Sequence, residues 1–192
     1  MRMNIIRSAI VIVAATLLLG LVYPAVMVAV GQIAFSRQAD GSLVQRDGKT
    51  VGSKLAAQAF NGPRYFHPRP SAVAYNADGT SFSNLGPNSK ALAQLVHERI
   101  QKIMQLEGPY NPGLTVRDIP VDAVTASGSG IDPDISKAYA ELQSRRIAAV
   151  RHLPLASVQK LIDDHVDGRS LGFLGEPGVN VLELNLALDQ EH

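Results

Sequence analysis

From Ser8 to Ser36 the chain carries no charged residue, and "AIVIVAATLLLGLVYPAVMVAV" within that run is almost wholly apolar. As a helix, these 29 positions reach about 43 Å at ~1.5 Å per residue. A hydrocarbon core of about 30 Å needs only about 20 residues, so the run crosses a bilayer with room for tilt. Pro24 lies inside it, and its missing backbone donor predicts a kink. The competing reading is a cleaved signal peptide, with Arg2 and Arg7 as its basic start and Ala29-Val30-Gly31 as a weak cleavage site. A signal core usually has about 7–15 residues. This run is about twice that, which favours a retained anchor.

Positive charge is balanced across the span, with Arg2 and Arg7 before it and Arg37, Arg46 and Lys49 soon after. A short basic start ahead of a long uncharged run favours a cytoplasmic N-terminus and an extracytoplasmic bulk. The expected division is residues 1–36, tail and transmembrane helix, and residues 37–192, one soluble domain. Of the 18 Lys and Arg residues, only Arg2 and Arg7 precede residue 37, so the domain carries 16 against 17 Asp and Glu. It lacks the basic excess of a nucleic-acid binder. With no cysteine, it has neither a disulfide framework nor a thiolate metal site.

Asp47-Gly48 between two β-prone runs reads as a type I′ hairpin over 41–53, and "KLAAQAF" (54–60) as one or two helical turns. Residues 61–88 show no period and are crowded with Gly, Pro, Asn and Ser. Aromatics and arginines interleave there, which argues for an ordered loop, either functional or folded on itself. A helix capped by Asn88 should run to Leu106, with Leu92, Val96, Ile100, Ile103 and Leu106 on one stripe. "IPVDAVTAS" (119–127) is β-branched and reads as a strand. Asp132-Pro133 then reads as N-cap and first turn of an amphipathic helix, with Asp134 at its positive end and Ala138, Tyr139, Leu142, Ala149, Val150 and Leu153 on its apolar face. A shorter helix follows Pro154 and stops at Asp167-Gly168. In "VNVLELNLALD" the alternation of Leu182, Leu184, Leu186 and Leu188 reads as a strand, with a helix starting at Asn180 left open. The fold class is α+β.

The SGSG stretch (127–130) lacks the Gly-Lys-Ser/Thr ending of a P-loop and the order of a nucleophile elbow. It reads as a turn opening a helix, where free amides can hold an anion, although Asp132 and Asp134 oppose phosphate there. His67, His97, His152, His165 and His192 share no metal-ligand spacing. Ser127 or Ser129 as the nucleophile of a membrane-anchored extracytoplasmic hydrolase is the competing functional class.

Several long pieces carry a resemblance: "PRYFHPRPSAVAYN", "SNLGP", "IPVDAVTASGSGIDPDIS", "RRIAAVRHL" and "GFLGEPGVNVLELNLALD", with "YP" in the apolar span and "VGS" before "QAF". Together they resemble the C subunit of the Kdp potassium-transporting P-type ATPase over almost the whole chain. "ADGTSFSNLGP" departs from the family's Ser/Gly-rich stretch at that place. The resemblance implies a single-span accessory subunit of the inner (plasma) membrane with no catalytic residues or metal of its own. It implies three partners besides membrane lipid: a channel-like potassium-binding subunit, an ATP-hydrolysing P-type subunit and a small stabilising subunit. It also implies a catalytic-chaperone role that raises ATP affinity, with no cofactor of its own and ATP reached through the complex. The expected contact residues are Arg64, Arg69, Asn76, Asn84, Ser127, Ser129, Asp132 and Asp134, on the 61–88 loop and the SGSGIDP turn.

Overall fold

One helix, Arg2–Ala34, is long and apolar enough to cross a membrane, in a computed structural model that describes residues 2–191. It consists of α1 (Arg2–Leu17), one π-helical turn (Leu18–Val22) and α2 (Tyr23–Ala34). The π turn falls immediately before Pro24, near the start of α2. Proline cannot donate to a carbonyl four residues back, and the wider turn absorbs that defect without ending the helix. A short helix α3 (Ser36–Ala39) follows.

The chain divides into two compact units, one up to Thr50 and one from Val51. At the junction of the two in sequence, β1 (Leu43–Arg46) and β2 (Lys49–Ser53) form the expected hairpin. Asp47 and Gly48 both have positive φ, 52° and 74°, as a type I′ turn requires.

The second unit contains α4 (Lys90–Glu107), α5 (Val121–Val124), β3 (Asp134–Ile135), α6 (Lys137–Arg151), α7 (Leu155–Asp164), β4 (Val166–Asp167), β5 (Gly178–Asn180) and α8 (Val181–Leu188). The small antiparallel sheet has the order β3-β5-β4, with Ile135 and Val166 both opposite Val179. Helix α6 packs on α7 and α4, and α7 on α8. Phe66, Ile135, Ile147, Ile162, Leu184 and Leu188 form the centre of the core.

Several local expectations are corrected. Residues 54–60 form no helix, because Ala57 N–H donates to Ile131 O (2.8 Å) and the Gln58 amide to Val51 O (2.9 Å), tertiary bonds that replace a helical ladder. Helix α4 is preceded by Ser89, with no side-chain cap, and Asn88 lies outside it. The strand read at 119–127 is the single helical turn α5: Thr125 N–H and Oγ1–H both bond Val121 O, and the Arg99 guanidinium takes Val124 O at 2.8 Å. Helix α6 starts at Ser136, whose hydroxyl accepts from Tyr139 N–H, four residues later than Asp132. Asp134–Ile135 is extended instead, held by its pairing with β5. Among the expected apolar positions, Ala138 and Ala149 are exposed.

The alternating leucines belong to a helix. Asn180 caps α8 by accepting from Glu183 N–H (3.2 Å), and the buried residues Val181, Leu184, Asn185 and Leu188 recur at helical spacing. Helix α7 ends at Asp164, before the expected Asp167-Gly168 stop, and β4 takes up the remainder.

Candidate functional site

The loop read at 61–88 is indeed irregular, and its first part is fixed by side chains acting as strand partners. The Asn185 amide both accepts from Phe66 N–H (2.8 Å) and donates to Phe66 O (2.9 Å). Gln143 does the same for His67, at 2.7 and 3.1 Å. Arg146, fully buried in α6, donates to the carbonyls of Pro63 and Tyr65, to Gln143 Oε1 and to Glu107 Oε1 (2.8 Å). Arg151 holds the Arg64 carbonyl at 2.8 Å. A buried backbone without a ladder needs partners, and α6 and α8 supply them from polar residues that the apolar pattern of these helices hides. Phe66 is thereby held in the core at 0% exposure.

Further along, the loop locks onto the SGSG turn. Ser71 Oγ–H donates to Gly130 O (2.6 Å), while its oxygen accepts from Val73 and Tyr75 N–H. Ser81 N–H reaches Ser129 O, and Tyr75 O–H returns to Arg69 O. Gly130 has φ +74°, and a Cβ there would stand 2.7 Å from Ser81 O. The position therefore excludes any side chain.

Of the eight expected contact residues, five come together. Arg69 pairs with Asp132 at 2.9 Å, and Asp132 also accepts from Asp134 N–H. Asn180 donates to Asp134. Ser127 Oγ accepts from Gly130 N–H, and Ser129 Oγ from Ile131 N–H. The other three lie apart from this network. Arg64 has an exposed side chain. The Asn76 side chain accepts from the nearby Asp78 N–H, and that of Asn84, at φ 55°, donates weakly to Phe82 O, both local bonds.

The expected anion-binding helix start at this turn is absent, since α6 begins beyond it and the amides of Gly130 and Ile131 already face serine oxygens. The adjoining open cleft is acidic, lined by Arg69 against Asp122, Asp132, Asp134 and Glu176. Burial and the neighbouring Asp132 charge push the Asp134 carboxyl above its usual range. Neither Ser127 nor Ser129 has a histidine partner among the described residues, so the hydrolase reading gains no geometric support. His165 is bonded to the Leu161 carbonyl, the adjacent Asp163 pairs with Lys137, and His192 lies outside the described residues. Among the described residues no cluster fit for a metal is present.

His67 gives this region a pH response. Its Nε2–H donates to Gly62 O at 3.0 Å, and burial holds its pKa below 6.5, the ordinary value. The folded state therefore binds less proton than the unfolded state, and stability falls as pH drops through about 6.5 toward the lowered value. We expect the urea midpoint of the chain in detergent to decline over that window, and His67→Asn to flatten this part of the slope. An unchanged slope in the variant would rule His67 out as the cause.

These features define a class: a chain with one apolar helix fit for a membrane and an α+β unit that presents a long, clamped loop. Residues 5–190 match the family described as KdpC, the K+-transporting ATPase c chain, and the chain belongs to that family. Among its relatives is the potassium-transporting ATPase KdpC subunit of Paraburkholderia phytofirmans, 50% identical over 191 residues covering 97% of both chains. That of Methylococcus capsulatus is 50% identical, covering 91% of this chain and 90% of its own. That of Acidobacterium capsulatum is 48% identical, covering 99% and 100%. The chain is thus a subunit of a potassium-transporting ATPase complex, and its apolar N-terminal helix fits a single-pass membrane protein.

Proposed function

We propose that this subunit is a non-catalytic assembly and regulatory element, anchored in the inner membrane with its N-terminus cytoplasmic and its α+β unit outside. Its partners are a channel-like potassium-binding subunit, an ATP-hydrolysing P-type subunit and a small stabilising subunit. It holds no cofactor, and it raises ATP affinity by binding one state of the pump better than another, a coupling that needs no nucleotide contact.

The observation that carries this reading is the outer part of the loop. Residues 76–88 are exposed, including Phe82 at 58% and Leu85 at 36%, although Tyr75 N–H is held by Ser71 and Ser81 N–H by Ser129 O. Apolar side chains held out on a fixed frame suit a protein partner. Phe82→Asp with Leu85→Asp should change the stability of the isolated chain by no more than about 0.5 kcal/mol. The same pair should lower co-purification with the other pump subunits by about tenfold, equivalent to ~1.4 kcal/mol. Undiminished complex yield would remove this loop from the interface.

A further inference from the structure

A second cleft of the α+β unit, of about 450 Å³, lies between the 60–75 segment, α4, α5 and α6. We infer that it binds a single carboxylate carried on an apolar body, a role that goes beyond assembly. Its walls are mixed: Phe60, Tyr75, Leu95, Ile103 and Tyr139 supply an apolar and aromatic side, and His67, Glu98, Arg99 and Lys102 a polar one. Tyr139 is 6% exposed, and its hydroxyl makes no hydrogen bond among the described residues. The ring lines the cleft, so a bound group there would find a hydroxyl able to donate to it.

The charge of the cleft selects the ligand. Arg99 is fixed by one bond to Val124 O, at 2.8 Å. Its other donors are unengaged among the described residues, leaving a planar fork that matches a carboxylate. Burial pulls its pKa below the ordinary arginine value, and a bound anion would relieve that cost. Lys102 adds a second positive charge at the lining and Glu98 a negative one, while His67 is held neutral. The balance is one positive charge, which suits a monoanion, and Glu98 disfavours the second charge of a phosphate. The loop wall is strained in the same place: Ala74 and Tyr75 have φ of 52° and 61°. Consecutive left-handed residues without glycine are costly and cluster at ligand sites.

The test uses the full chain in detergent and a photoreactive monocarboxylate, 4-benzoylphenylacetate, with adducts mapped by mass spectrometry. Labelling is expected on the cleft walls around Leu95 and Tyr75, displaced by 3-phenylpropionate at about one-tenth the concentration needed of its neutral amide. Arg99→Gln should erase the preference for acid over amide. Tyr139→Phe and Lys102→Gln, which leave the fold's contacts in place, should each lower labelling about threefold. No displaceable adduct in the cleft, or equal displacement by acid and amide, would overturn the proposal. The same labelling in membranes holding the assembled transporter distinguishes two sources of the carboxylate. Labelling lost on assembly assigns it to an acidic side chain of a neighbouring subunit, and labelling retained assigns it to a diffusible acid.

Discussion

Arg146→Met is expected to cost about 3–5 kcal/mol of stability, the range for breaking a buried ion pair from one side. The guanidinium and the Glu107 carboxylate are 0% and 2% exposed, with Nε and Oε1 2.8 Å apart. Removing the cation leaves the Glu107 carboxylate buried and unpaired, since its Oε2 has no hydrogen-bond partner among the described residues. Two measurements test this account of the loss. Burial already pushes the Glu107 pKa above its ordinary value, against the pull of Arg146, and the variant removes that opposing pull. A raised folded pKa means the folded state binds more proton, so the Glu107 contribution to the variant's stability rises as pH falls toward about 4.5, and the gap to the parent narrows. The second measurement is Glu107→Met added to Arg146→Met. An apolar pair of similar volume often restores what a broken ion pair loses, but here the Pro63 and Tyr65 carbonyls would still lack their donor. Recovery should therefore stop about 1–3 kcal/mol short, the cost of leaving buried acceptors unpaired. Full recovery would mean that the arginine serves only its carboxylate and does not hold the loop.

What was legible in the sequence followed from strong local signals. The charge-free run, the Asp47-Gly48 hairpin and the apolar stripe of α4 each depend on residues close together in the chain. What was hidden depends on polar residues that point inward. Gln143, Arg146 and Asn185 are all at or below 2% exposure, yet periodicity reads each as solvent-facing. That error turned α8 into a strand, because Leu182 and Leu186 fit an alternation in which Asn185 must lie outside. The β-branched 119–127 segment misled in the same way: its one helical turn is ended by Arg99, 25 residues earlier in sequence. The SGSGIDP turn and the 61–88 loop were expected on one contact surface, and Ser71, Ser81 and Arg69 join the two segments. The aromatic cleft was not, since its arginine, lysine and tyrosine come from two helices and gain meaning only from how those helices pack.

Phe66→Ala should destabilise the α+β unit by about 3–5 kcal/mol, the usual cost of emptying a phenylalanine site in a closed core. Phe66 belongs to the same cluster as Ile147, Ile162, Leu184 and Leu188. It is also the one residue of the irregular loop at 0% exposure in that core. The ring and the two bonds from Asn185 to its backbone act on the same residue, so their losses should not add. Asn185→Ala alone removes both partners of Phe66 and should cost about 2–4 kcal/mol, but the double variant should fall short of the sum, as coupled neighbours do. The loop gives a second readout. With the anchor gone, the 61–75 segment should be cut by trypsin at Arg64 well before the helices unfold, because its remaining ties leave it free to open locally. Phe66→Leu, which refills most of the volume, should restore protection and all but about 1–2 kcal/mol. If Phe66→Ala left trypsin sensitivity at Arg64 unchanged, the amide and guanidinium clamps alone would account for the order of the loop, and the aromatic ring would be only a core filler.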